Sequence, residues 1–183
     1  MHKGNYGDWT QYYRIHPVID QITASWSEPQ KIVVHKLVNK YGLPNETSSR
    51  RLIWHHNGPW KQTIVYLDTV PHNFPTPHLD FLKQTIDYKV PIELFDKVAQ
   101  FDGSVYPDRT SGQVSAKCDK EEMNFLALNM VNEIVIGKRT VEQAKRFFAE
   151  TAIKFHQGIS SPYIETFLFP KQTHTADPDV RLF

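Results

Sequence analysis

Apolar and polar residues recur along this chain with two different periods, and each change of period marks a new element. In residues 29–41, PQKIVVHKLVNKY, the apolar positions Ile32, Val34, Leu37, Val38 and Tyr41 return at helical spacing. Pro29 suits a first helical turn, and Gly42 supplies the residue just past the end. A shorter helix is predicted over residues 18–26, VIDQITASW, closed by Ser27 and Pro29. The period then falls to two. RRLIWHH (50–56) and KQTIVYLDTV (61–70) flank Asn57-Gly58, a pair that tolerates positive φ, and this predicts a hairpin. Leu52 and Trp54 fall on one face and Ile53 on the other, while Ile64 and Tyr66 oppose Val65 and Leu67. Both faces are apolar, so the hairpin is expected at the centre of a sheet, covered on both sides.

Past the first hairpin, residues 76–82, TPHLDFL, read as a short helix. Thr76 stands at its N-cap, Pro77 at its first position and Asp80 in its first turn. TIDYKV (85–90) reads as a strand, and PIELFDKVAQFDG as a helix running from Pro91 to just before Gly103. SVYPDR and QVSAKC around TSG predict a second hairpin, with Pro107 on an edge or at a bulge. Asp119 with Glu122 resembles a capping box opening a helix whose face is Met123, Leu126, Met130 and Ile134. Thr140 with Gln143 opens the last helix, facing inward through Val141, Ala144, Phe148 and Phe155 and ending at Gly158. Together these predict one α+β domain over residues 1–158, with residues 1–17 aromatic but irregular. It has about five mostly antiparallel strands, in two hairpins plus one strand, and four to six helices packed around the sheet. Residues 159–183 form an irregular extension. Its apolar stretch Tyr163–Phe169, YIETFLF, is expected to dock on the domain or on a neighbouring subunit of a homo-oligomer.

Composition narrows the function classes. The chain has 183 residues, 40% hydrophobic and 22% charged, which suits a single soluble domain with a real core. A net charge of +1 offers no field to attract nucleic acid or an anionic membrane. No apolar run is long enough to span a bilayer, and the N-terminal residues lack the apolar stretch of a signal peptide. The single cysteine, Cys118, excludes an internal disulfide and fits a reducing, cytoplasmic setting. The phosphate-binding loop, the dinucleotide fingerprint, the zinc-protease helix, the nucleophile elbow and the paired-cysteine motif are all missing. No nucleotide cofactor is therefore expected.

Candidate chemistry concentrates between His55 and Asp80, which holds four of the nine histidines. His72, His78 and Asp80 form H-x5-H-x-D, the N and O donors that a divalent metal such as zinc or iron takes. The turn chemistry of Thr76-Pro77 accounts for Asp80 without a metal but leaves both histidines unexplained. His55 and His56 are candidate catalytic bases at the hairpin tip. A strand of the length of Lys61–Val70, rising about 3.3 Å per residue, holds them some 30 Å from His72 and His78 unless it bends. Trp54 and Trp60 bracket that tip as possible ligand walls or as sheet packing. Arg109, with Asp108, Thr110 and Ser111, could hold a carboxylate or phosphate, or simply make a turn. Cys118 precedes a predicted helix start, where a thiol gains nucleophilicity, although Asp119 beside it opposes the thiolate.

Three functional expectations follow. One is a domain that binds a small molecule or protein partner in a cleft by the first hairpin and the His/Pro-rich loop, through Trp54, His56, Trp60 and Arg109. Another is a small metal-assisted hydrolase using His72, His78 and Asp80. The last is a structural subunit of a homo-oligomer joined through Tyr163–Phe169.

Overall fold

The structure, a computed structural model, describes residues 16–183. The irregular aromatic stretch read at residues 1–17 thus lies almost wholly outside the described residues. The elements run α1 (Pro17–Ile22), α2 (Glu28–Tyr41), β1 (Glu46–Ser48), β2 (Arg51–His55), β3 (Gln62–His72) and β4 (His78–Asp87). A 3-10 turn at Ile92–Leu94 leads into α3 (Phe95–Phe101). Then come β5 (Val105–Asp108), β6 (Gln113–Cys118), α4 (Glu121–Val135), α5 (Val141–His156) and α6 (Pro162–Glu165). All six strands form one antiparallel sheet in the order β1-β2-β3-β4-β6-β5. The α+β architecture is the expected one, with one strand more than foreseen.

The register explains how one face of this sheet becomes a core. Leu52 pairs with Val65, Val65 with Leu82, and Leu82 with Cys118. Gln84 pairs with Ala116 and Ile86 with Val114, so these residues share a face across four strands. At the β2–β3 end, Leu52, Trp54 and Val65 pack with Ile19 of α1 and with Val34 and Leu37 of α2. At the β4–β6 end, Ile86, Val114 and Ala116 pack with Phe101, Leu126, Met130 and Phe148 from α3, α4 and α5. Complete burial of a large apolar side chain contributes about 1.5–3 kcal/mol, so these two clusters are the main source of stability.

Several local details differ from the sequence reading. The first hairpin is not central, because β2 lies one strand from an edge closed by the three-residue β1. Short edge strands limit pairing with other chains. On its second face Ile53 and Ile64 are buried, but their neighbours across the sheet are Lys83 and Lys117. The tip is a longer loop in which Trp60 N–H donates to the Asn57 carbonyl, placing Gly58 (φ +61°) second in the turn rather than third. The predicted helix at Thr76–Leu82 is absent. Those residues belong to the β3–β4 connection and to β4 itself, and TIDYKV begins as the end of the same strand. Strand pairing on both sides of β4 outweighs the local helix-start signal. Asp119 does not cap α4 either, because the N-cap is Lys120 and makes no side-chain capping bond.

One local signal is realised as read. Thr140 and Gln143 form a capping box on α5. In α2, Gln30 accepts from Ser27 N–H and sends its amide to the carbonyls of Tyr66 and Leu67 at 2.7 and 2.8 Å, tying the helix to β3. Residues 163–169 lie against their own domain. Asn129 of α4 donates to the carbonyls of Tyr163 and Thr166 and accepts from Leu168 N–H. Phe167 packs edge-on against Trp60 and tilted against Phe125, and Phe169 edge-on against Tyr88. Among the described residues no helix is long and apolar enough to cross a membrane.

Candidate functional site

The far end of the β3–β4 ribbon carries the densest set of titratable groups. Regular pairing holds as far as Val65 opposite Leu82. Residues 66–69 then bulge against Phe81 alone, and pairing resumes with Val70 opposite Asp80 and His72 opposite His78. A bulge changes which side chains point where along a strand. Here the resumed register sets His72 beside His78 as cross-strand neighbours, ring centroids 5.0 Å apart, with Asp80 two residues along on the same strand. Phe74 in the connecting loop packs on Phe148 and Phe101, which pins this end of the ribbon to α5 and α3.

The three residues converge. Their ligand atoms, one from each, all lie within 4.8 Å of one another. His78 Nε2 is 3.1 Å from Asp80 Oδ1, and His72 Nδ1 is 3.5 Å from Asp80 Oδ2. Asp80 is 1% exposed, and both rings are largely covered. Their remaining atoms are engaged elsewhere. His78 Nδ1 lies 2.8 Å from the Thr76 carbonyl, which can only accept, so this nitrogen carries a proton, and in the neutral ring Nε2 is left with the lone pair. His72 Nε2 faces Asp102 Oδ1 at 3.5 Å, and Ser104 Oγ donates to Asp80 Oδ2. Yet His72 Nδ1 and Asp80 Oδ1 are buried with no hydrogen-bond partner.

Asp102 and Ser104 were not singled out from the sequence. Asp-Gly-Ser reads there as a plain turn, and Asp102 does accept from Ser104 N–H at 2.8 Å. Their proximity to Asp80 comes only from the placement of β5 beside β6. Burial raises the Asp102 carboxyl above the usual carboxylate range, while the Ser104 N–H and the His72 ring pull it back. The Asp80 carboxylate raises His78 above 6.5, against the opposing effect of burial and with help from the Thr76 carbonyl.

Cys118 ends β6 with its Sγ 3.4 Å from His78 Nε2. A nucleophilic relay would need the thiol on one ring nitrogen and a carboxylate on the other. Both Cys118 and Asp80 instead approach Nε2, and Nδ1 is taken by a carbonyl. Burial, then Asp119, pushes the thiol well above its ordinary value. Beside these groups lies a cavity of about 10 Å³ bordered by His72, His78, Asp102, Cys118 and Asn124, the space of a single ion or water. A larger one of about 140 Å³ borders His78 and Cys118 between residues 75–77 and α5.

The other candidates stand apart from this cluster. His55 and His56 sit at the opposite end of β3, next to its first residues. His55 pairs with Glu46 at 2.6 Å. His56 (φ +50°) borders a separate hollow of about 210 Å³ with Lys61, Asp87 and Lys171. Trp54 and Trp60 are each 1% exposed, with indole N–H groups bonded to the Gly42 carbonyl and to Glu121, so their rings are core, although Trp60 also borders the hollow beside His56. Arg109 pairs with Asp179 of the chain's own C-terminal segment. Scanned against protein-family models the chain matches none, and neither the curated proteins nor the solved structures yield a match to it.

Proposed function

We propose that this protein is a transition-metal-binding domain that holds one divalent ion, such as zinc or iron, on His72 Nδ1, His78 Nε2 and Asp80 Oδ1. The observation that carries this reading is the pair of buried, unpartnered ligand atoms on His72 and Asp80 within a converging set. Leaving such an atom without a partner costs about 1–3 kcal/mol, more for a charged group, and a cation would relieve both at once. The spacing also agrees. A tetrahedral ion with bonds of about 2.1 Å holds its ligands about 3.4 Å apart; His78 Nε2 and Asp80 Oδ1 are 3.1 Å apart, and one ligand atom from each of the three residues lies within 4.8 Å of the others. The hydrogen bond from the second ring nitrogen of His78 to the Thr76 carbonyl, with a carboxylate 3.5 Å from that of His72, is how metal-binding imidazoles are commonly oriented. Finally, Asp80 and Asp102 place two carboxyl groups in one buried cluster, which calls for a positive charge.

The rival account supplies that charge by protonating the histidines, with no metal involved. Elemental analysis of protein purified without a histidine tag separates the two. About one zinc, iron or manganese per chain is expected. Stoichiometry near zero, with a melting temperature unmoved by those metals, overturns the proposal.

A second reading, metal-assisted hydrolysis, is favoured by the cavity of about 140 Å³ that borders His78. An ion with three protein ligands and an open position activates water. Turnover of small ester or phosphoester substrates, lost on chelation and restored by metal, is the result expected of it. An inactive protein with its full metal complement excludes it.

A further inference from the structure

We infer that Cys118 is the fourth protein ligand of this centre, closing it as a two-histidine, aspartate and thiolate site that selects a zinc-class ion over hard cations such as magnesium or calcium. The inference rests on the metal-binding reading above and extends it. Pairing between β4 and β6 ends at Leu82 opposite Cys118, while β4 continues past that point through Asp80 to His78. The last residue of β6 therefore flanks the ribbon on the His78 side; its Sγ stands outside the set of ligand atoms that all lie within 4.8 Å of one another, so closing the site draws Sγ toward His72 and Asp80 as the ion binds. Its Sγ is 3.4 Å from His78 Nε2. Around one tetrahedral ion with metal–sulfur and metal–nitrogen bonds of about 2.3 and 2.1 Å, the same two atoms stand about 3.6 Å apart.

An independent observation points to the same place. Asp80 Oδ1, on a side chain 1% exposed, has no hydrogen-bond partner and lies 3.1 Å from that same Nε2. The small cavity is bordered by Cys118 together with His72 and His78. Binding replaces the sulfur–hydrogen bond with a metal–sulfur bond, and the proton leaves to solvent. Thiolate is the soft ligand of the set and shifts preference toward zinc and its neighbours, whereas magnesium and calcium require oxygen donors. Four protein ligands leave no position for a reactive water, so this geometry favours an ion held in place over hydrolysis.

Cobalt(II) titrated into tag-free, chelator-stripped protein tests this. The expected spectrum shows intense visible bands of a four-coordinate ion and a near-ultraviolet sulfur-to-cobalt band, both saturating at one equivalent. Because the chain has one cysteine, a thiolate band can come only from Cys118. Cys118→Ser, checked for native circular dichroism, is expected to lose the near-ultraviolet band and to bind zinc at least about tenfold more weakly. The wild-type spectrum is decisive even if that variant misfolds. Visible bands without the near-ultraviolet band remove Cys118 from the site while the metal-binding reading stands. The absence of any stoichiometric cobalt binding overturns both.

Discussion

His72 and His78 are direct cross-strand partners, joined by a five-residue loop and set with their ring centroids 5.0 Å apart. Because β-pairing fixes this relationship, each ligand should be separately necessary. His72→Ala, His78→Ala and Asp80→Ala are each expected to abolish the rise in melting temperature produced by zinc. At zinc about 100-fold above its dissociation constant the wild-type gain is about 2.7 kcal/mol, or about 5–10 °C for a chain of this size. His55→Ala and His56→Ala, at the other end of β3, should keep the full gain. A gain that survives in any of the three ligand variants excludes that residue as a ligand.

Protons and metal compete for His78 Nε2, and the direction of the competition follows from its surroundings. The Asp80 carboxylate raises His78 above 6.5 in the folded protein. A raised value means that protonation stabilises the metal-free fold below 6.5, and that this contribution fades as pH rises through the folded value. Metal needs the deprotonated nitrogen. The zinc-induced rise in melting temperature should therefore be small at about pH 5.5 and large at about pH 8. Thermal scans with and without zinc across this range check it, and an equal gain at both ends would contradict ligation through His78.

Much of the fold is legible along the chain because it depends on local period and capping. The span of α2, the Thr140–Gln143 box of α5 and the two hairpins are all of that kind, although the buried face of α2 takes Val33 with Val34 and Leu37 in place of Ile32. The candidate centre was only half legible. His72, His78 and Asp80 stand out as donors, but Thr76-Pro77 is good helix-start chemistry, and nothing local reveals that β4 will pair on both sides. Hydropathy also misleads within β4, where alternation puts Asp80 on the buried face with Leu82 and turns the apolar Leu79 outward. Asp102 and Ser104 reach the ribbon from the turn between α3 and β5, and Cys118 from the end of β6, all more than twenty residues away, through contacts that only tertiary packing creates.

Glu121, the first residue of α4, gathers donors that the core would otherwise strand. Its carboxylate accepts from Trp60 Nε1 at 2.6 Å, Gln84 Nε2 at 2.9 Å and Tyr41 Oη at 2.9 Å, and pairs with Lys40. Trp60 and Gln84 are fully buried. Glu121→Ala leaves both without this acceptor and is expected to cost about 2–4 kcal/mol, whereas Glu121→Gln keeps one acceptor oxygen and should cost less. Chemical denaturation of the three proteins measures the difference. A loss below about 1 kcal/mol for Glu121→Ala would show that the donors find other partners.

The C-terminal segment is clamped against the second hairpin at a place where only glycine fits. Gly112 has φ +62°, and a Cβ added there would meet the backbone carbonyl of Thr175 at 2.1 Å. Neighbouring contacts depend on the same approach. Asp177 N–H donates to the Arg109 carbonyl, Lys89 N–H donates to Gln172, and Lys89 pairs with Asp177. Gly112→Ala adds about 1–2 kcal/mol of left-handed backbone cost and forces the hairpin turn or the segment to move. Since the segment has few buried residues and β5–β6 is paired along its length, the segment should give way. Limited proteolysis should then cut within residues 170–183 at least about tenfold faster than in the wild type, with the core resistant. Asp179→Ala, which removes one exposed ion pair to Arg109, should leave cleavage nearly unchanged because such pairs contribute about 0–1 kcal/mol. Equal cleavage of Gly112→Ala and wild type would mean that the segment does not depend on this approach.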